Sequence, residues 1–265
     1  MALRKMTQPE LYRCPMKCEG EKTYDKPGKC PVCGMALRKI SQPAVSENLA
    51  AKKNKVQITG TMMKVMRQGE LSGTINLDTI SNKEHLYGVG PVEYLKGELT
   101  IIDGKSYKST VATDGSILVE ETFKAKAPFF VYASIDKWKE VLLPDSVQTI
   151  PQLELFLDQS TKNLTRPFAF RLVAKIEKGV LHVVNLPAGT AVHSPEDAHQ
   201  NQLSYKLKKQ SADLVGFFST AHQGVFTHHD SFVHIHLITT DRTKMGHLES
   251  MMIKKGTARL YIPAE

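Results

Sequence analysis

From Val56 onward apolar and polar side chains alternate in short runs broken by turn residues, which is the period of strands rather than helices. The clearest case is Leu99-Thr-Ile-Ile-Asp-Gly-Lys-Ser-Tyr-Lys108, where Asp103-Gly104 supplies hairpin turn residues. The same pattern predicts strands at 168–176, 180–185, 213–218, 231–238 and 256–262. Apolar spacing and charge predict helices over 61–69, 134–141 and 150–162, while 190–212 reads as a long polar excursion. Together these elements make an α+β pattern.

Residues 41–55 lack apolar periodicity and end in charge, as a connector does. They separate a domain at 56–265 from an N-terminal module at 11–40. All four cysteines, Cys14, Cys18, Cys30 and Cys33, fall in that module, and none follows in the next 232 positions. The nine opening residues recur at 35–43 with seven identities, directly after the cysteines. Residues 1–10 therefore read as the remnant of an upstream repeat, and the natural protein is expected to start before Met1.

The net charge of +8 is unevenly placed: residues 1–55 carry 12 basic and 5 acidic side chains, leaving 23 against 22 for the rest. No aromatic platform accompanies the basic segment, so a nucleic-acid partner is not expected and the charge reads as solvated surface. No run approaches the ~20 apolar residues of a membrane span, and no signal peptide is visible in the first thirty positions.

Four thiolates at Cys14-x3-Cys18 and Cys30-x2-Cys33 can close a tetrahedral shell around zinc or a related ion. Thirty residues bury little core, so metal or two disulfides must hold the module together. Met16 and Met35 adjoin the cysteine pairs, and thioethers favour copper(I). The stretches Tyr12-Arg-Cys-Pro-Met-Lys-Cys18 and Pro27-Gly-Lys-Cys-Pro-Val-Cys-Gly-Met-Ala-Leu37 resemble the heavy-metal-binding domain of bacterial copper and silver efflux proteins. That resemblance implies copper or zinc at this module. Where the family has His-Pro after Cys-Pro-Met, this chain has Lys17-Cys18, an imidazole exchanged for a thiolate. An efflux-type module points toward the cell envelope, with the cytoplasm as the alternative compartment.

Six of ten histidines lie between 222 and 247. His234 and His236, two apart on a strand, share a face while Val233, Ile235 and Leu237 point to the other. A polar turn returns the chain, and Gly246 lets His247 approach as a third ligand. Three imidazoles with an open fourth position suit a catalytic metal, probed against the alternative of edge-strand histidines facing solvent. His222, His228 and His229 read as flanking groups.

Val215-Gly-Phe-Phe218, His234-Ile-His236-Leu-Ile and Met245-Gly-His-Leu248 resemble the end of acetolactate decarboxylase. Upstream, Met62-Met-Lys-Val-Met-Arg-Gln-Gly-Glu-Leu-Ser-Gly73 is similar to that family's opening helix, and Tyr87-Gly-Val-Gly-Pro-Val-Glu-Tyr-Leu-Lys-Gly-Glu98 to its glycine-rich turn and following strand. The resemblance implies a two-part α+β domain of mixed and antiparallel sheets with a divalent metal, zinc, between them. It implies His234, His236 and His247 as ligands, Glu98 as the group handling a proton, and 2-acetolactate or a similar β-keto acid as substrate. A homodimer is the expected assembly.

The chain departs from the family in four places. Leu-Asp-Gly-Glu is Leu95-Lys-Gly-Glu98, and Gly-Thr is Gly90-Pro91. The arginine that clamps the substrate carboxylate falls on His182, with Arg166 or Arg171 as alternative sources; imidazole lacks the bidentate fork. The family's second glutamate, well beyond Gly-His, has no counterpart in the eighteen residues after His247. The leading expectation is a decarboxylase forming acetoin. The alternatives are a degenerate relative that handles metal and a decarboxylase of another β-keto acid.

Overall fold

The computed structural model describes residues 11–14, 22–32, 34–40 and 54–264, and the chain divides into two compact units at 1–52 and 53–265. In the first unit β1 (Leu11–Arg13) pairs antiparallel with β2 (Arg38–Ile40). The Cys30 carbonyl accepts from the Gly34 amide and the Cys30 amide donates to the Met35 carbonyl, each at 2.8 Å, closing a tight turn. Gly34 takes φ 72° there, the left-handed region glycine tolerates. Cys14 and Cys30 are buried and Met35 is exposed. Met16, Cys18, Cys33, the repeat at 1–10 and most of the 41–55 connector lie outside the described residues.

The second unit opens with β3 (Gln57–Thr59) and α1 (Met62–Gln68), the latter capped by Thr61 and ended by Gly69 at φ 66°. Then follow β4 (Ile75–Asn76), β5 (Leu86–Pro91), β6 (Glu98–Ile102), β7 (Lys105–Val111), β8 (Ile117–Glu121), β9 (Lys126–Ala127) and β10 (Phe130–Ser134). They build a six-stranded sheet in the order β3-β10-β5-β6-β7-β8, with β4 and β9 paired separately. The Asp103-Gly104 turn joins β6 to β7 as expected.

The second sheet uses β11 (Trp138–Val141), β12 (Phe168–Val183), β13 (Leu203–Phe218), β14 (Val233–Thr239), β15 (Met245–Ile253) and β16 (Arg259–Pro263). Two helices, α2 (Ile150–Ser160) and α3 (Pro195–Ala198), interrupt the run. The order is β11-β16-β12-β13-β14-β15, and β15 pairs back onto the far half of β12, closing a ring of β12, β13, β14 and β15. Every ladder between named strands is antiparallel, so the mixed component of the expected sheets is not seen among the described residues. Among those residues no helix is long and apolar enough to cross a membrane.

Three sequence expectations change. Residues 134–141 are not a helix: β11 lies at the sheet edge against β16, and the Trp138 indole donates to the Tyr87 hydroxyl at 3.1 Å, so tertiary pairing overrides the local spacing. The polar excursion ends at Leu203, because Ser204 to Lys209 belong to β13 with one face in solvent. The strands expected at 168–176 and 180–185 are one strand, whose alternation changes phase between them. Phe168, Phe170, Leu172, Ala174 and Ile176, then Leu181 and Val183, enter one core, with register shifts against β15 in the interval. That phase change leaves His182 on the opposite face.

The face of β6 carrying Leu99 and Ile101 packs into a core with Leu77, Leu86 and Phe130. Ile102, on the other face with Glu98 and Thr100, meets Phe217, Ile238 and Met245 of the second sheet. The interval between the sheets therefore receives one face of β6 and the histidine face of β14 and β15. Gly246 permits this approach, since a Cβ there would overlap the His182 carbonyl oxygen on the neighbouring strand. Gly246→Ala is expected to cost about 2–3 kcal/mol by forcing β15 off β12. Urea unfolding checks this; an unchanged midpoint would show that β15 shifts without strain.

Candidate active site

His247 sits in the middle of a row. Across β12–β15 its register partner is His182, and across β14–β15 it is His236. His234 lies two residues along β14 on the same face. One ring nitrogen from each of His234, His236 and His247 falls within 4.8 Å of the others, the only such group of histidine, cysteine and acidic ligand atoms found among the described residues. The edge-strand alternative does not hold, since His234 and His236 are buried between the sheets.

Thr100 of β6 stands behind His236: its hydroxyl lies 3.0 Å from His236 Nδ1 and 3.1 Å from Met245 Sδ. Nε2 of His236 faces His234 Nε2 at 3.1 Å. Two nitrogens each bonded to one tetrahedral zinc ion lie about 3.3 Å apart, so the donor set fits a shared ion. A threonine behind the imidazole is also the outer-shell support that metal-bound histidines receive.

Burial pushes the His234 imidazole down to about 3 and holds His236 and His247 well below their ordinary value. All three are neutral imidazoles at neutral pH. Glu98 is 3% exposed, so it is not a solvent-facing strand residue. Its Oε2 lies 3.7 Å from His236 Nε2 and its Oε1 lies 3.9 Å from His182 Nε2, while Oε1 accepts from the Val184 amide at 3.3 Å. Burial keeps this carboxyl well above the usual carboxylate range, against the opposing Val184 hydrogen bond.

These shifts give the metal-free protein a defined acid sensitivity. Three histidines held neutral in the fold bind protons once the chain unfolds, so their contribution is lost as pH falls below about 6.5. Glu98 acts oppositely, because the fold keeps a proton there that the unfolded chain releases above about 4.5. Three histidines against one carboxyl leave a net uptake of protons on unfolding, so stability falls as pH drops from 6 to 5. Urea unfolding of chelator-treated protein at pH 5 and 6 measures this, and equal stabilities would contradict it.

His182 is brought into the site, its ring stacked on His247 at 4.8 Å between centroids. Arg166 and Arg171 are not: they pair with Asp158 and Asp213 at 2.8 and 2.9 Å. Met62, Met66, Pro91, Leu95, Phe129 and Val184 form an apolar wall. A cavity of about 710 Å³ opens beside it, lined in part by His182, His199, His228, His247 and Glu249.

Several of these residues escaped the sequence reading. The His228 ring lies 5.2 Å from that of His247, nearer than a flanking loop group. His199, in the supposed polar excursion, lies 6.0 Å from His182, and nothing in its sequence surroundings marks it. Glu249 bonds His182 Nδ1 at 2.9 Å, and that bond holds its carboxyl below the ordinary range. Two positions beyond His247 on one strand, Glu249 was recoverable from period-two alternation; so was Thr100, two beyond Glu98.

Residues 58–263 match the family model described as alpha-acetolactate decarboxylase, and residues 11–40 match that of a heavy metal binding domain. An alpha-acetolactate decarboxylase of Lactococcus lactis subsp. cremoris is 24% identical over 196 residues, which are 72% of this chain and 78% of that protein. One from Brevibacillus brevis is 25% identical over 209 residues, 78% of this chain and 70% of the relative. The crystal structure of acetolactate decarboxylase from Bacillus subtilis subspecies spizizenii superposes with a TM-score of 0.64 at 20% identity, covering 79% of this chain and 86% of that one.

Proposed function

Because the chain belongs to the alpha-acetolactate decarboxylase family and carries a heavy-metal-binding domain ahead of it, we propose that it converts 2-acetolactate to acetoin and carbon dioxide. His234, His236 and His247 would hold a divalent ion, zinc first among candidates. Such an ion supplies a Lewis acid for the negative charge that develops on substrate oxygen.

Glu98 acts as the acid. As the bond to the carboxylate carbon breaks, carbon dioxide leaves and its electron pair stays with the substrate; the Glu98 carboxyl proton then goes to that carbon. A carboxylic acid can serve this way near neutral pH only if something keeps it protonated, and its burial does so. The wall built from Met62, Met66, Leu95 and Phe129 excludes water from the reacting carbon. His182, at the position of the family's carboxylate-binding arginine, meets the substrate with its Nε2 edge.

The observation that carries this reading is the convergence of three neutral imidazoles with a buried glutamic acid 3.7 Å away. Zinc-loaded protein is expected to release carbon dioxide and acetoin from 2-acetolactate in equal amounts. Neither product above the uncatalysed rate would overturn it. In the other unit, the burial of Cys14 and Cys30 suits a thiolate site for copper(I) or zinc.

A further inference from the structure

Glu249 and His247 leave the same face of β15. Glu249 Oε1 receives three donors: His182 Nδ1 at 2.9 Å, Gln202 Nε2 at 3.3 Å and Ser204 Oγ at 3.4 Å. Ser204 is the register partner of His182 across β12–β13, as His247 is across β12–β15. The carboxylate is thus tied to the strands on both sides of the His182 ring.

The ring has two restraints of different kinds. Stacking on His247, at 4.8 Å and 23° between planes, fixes its plane. A half-turn about Cβ–Cγ returns the imidazole to the same plane with its edges exchanged, so stacking leaves open which edge faces inward. The bond to Glu249 settles the edge, since turning the ring would break it. A carboxylate only accepts, so Nδ1 carries a proton. Nε2 is then held inward, toward Glu98 Oε1 at 3.9 Å.

We infer that Glu249 is a positioning residue for the reaction: it holds His182 so that the Nε2 edge, and no other, meets the substrate. This rests on the reading of His182 as a substrate contact. The arrangement replaces the built-in fork of an arginine with an imidazole whose direction is set by a second residue.

The test uses the full-length, zinc-loaded protein with Glu249→Ala and Glu249→Gln. Loss of a charge-assisted hydrogen bond of this kind corresponds to about tenfold or more in affinity. Glu249→Ala is expected to raise KM for 2-acetolactate about tenfold and to leave kcat within about threefold. Glu249→Gln keeps an acceptor oxygen and should stay within about threefold of the parent KM. In nitrogen-15 imidazole spectra, the His182 Nδ1–H resonance, assigned by its loss in His182→Gln, should persist in the glutamine variant and vanish in the alanine variant. An unchanged KM in Glu249→Ala overturns the inference, as does an Nδ1–H resonance that survives in it. If the parent forms no acetoin, the functional reading fails by itself, and the spectra alone decide whether Glu249 orients His182.

Discussion

His236→Ala should lose the bound metal and reduce acetoin formation by at least about 1,000-fold. His236 is central to the proposed site: its Nε2 faces His234 at 3.1 Å, its Nδ1 lies 3.0 Å from the Thr100 hydroxyl, and Glu98 lies 3.7 Å from the same ring. Removing the imidazole takes away one of three proposed ligands, leaves the Thr100 hydroxyl without its imidazole partner, and opens a cavity into which water can reach Glu98. Elemental analysis after dialysis should find less than stoichiometric metal at this site while the cysteine module keeps its own. Stoichiometric metal in both places together with parental turnover would remove His236 from the site.

Glu98→Gln should separate the proton from the metal. The amide has the shape of the protonated acid and can still accept from the Val184 amide, so folding and metal content should stay near the parent's. It has no acidic proton to give, and loss of a positioned general acid costs about 10²–10⁴ in rate. Steady-state kinetics with elemental analysis on one sample are sufficient. A rate within tenfold of the parent would mean that another group protonates the carbon, and His182, on the other side of Glu98, would be examined next.

The histidine cluster was legible because its geometry is local. Period two on a strand puts His234 and His236 on one face, and a glycine before His247 signals a close approach, which the overlap between a Cβ at 246 and the His182 carbonyl bears out. The row that joins His182 to them was not legible from pattern, because it depends on the register of three strands and on the phase change in β12. The interruption at Glu177-Lys-Gly179 was visible, but it marks a change of face within one strand rather than the gap between two. His182 was reached by resemblance alone.

The misread elements share one cause: the partner decides. Ile135, Trp138 and Val141 fit a helical spacing, yet the edge of β16 and the Tyr87 hydroxyl draw this segment out as a strand. The first half of β13 looks too polar to be sheet because one face of it is in water. His182, expected at the position of the family arginine, is held by Glu249, a residue whose contact with it only the pairing of β12 with β15 makes evident.

The most direct single measurement is acetoin formation from racemic 2-acetolactate by the full-length protein, first stripped of metal and then reloaded with zinc. Activity should be absent in the stripped protein and return in proportion to zinc bound at His234, His236 and His247. Stoichiometric zinc at that site with no acetoin above the uncatalysed rate would contradict the decarboxylase reading and favour a relative of the family that binds metal without turning over this substrate.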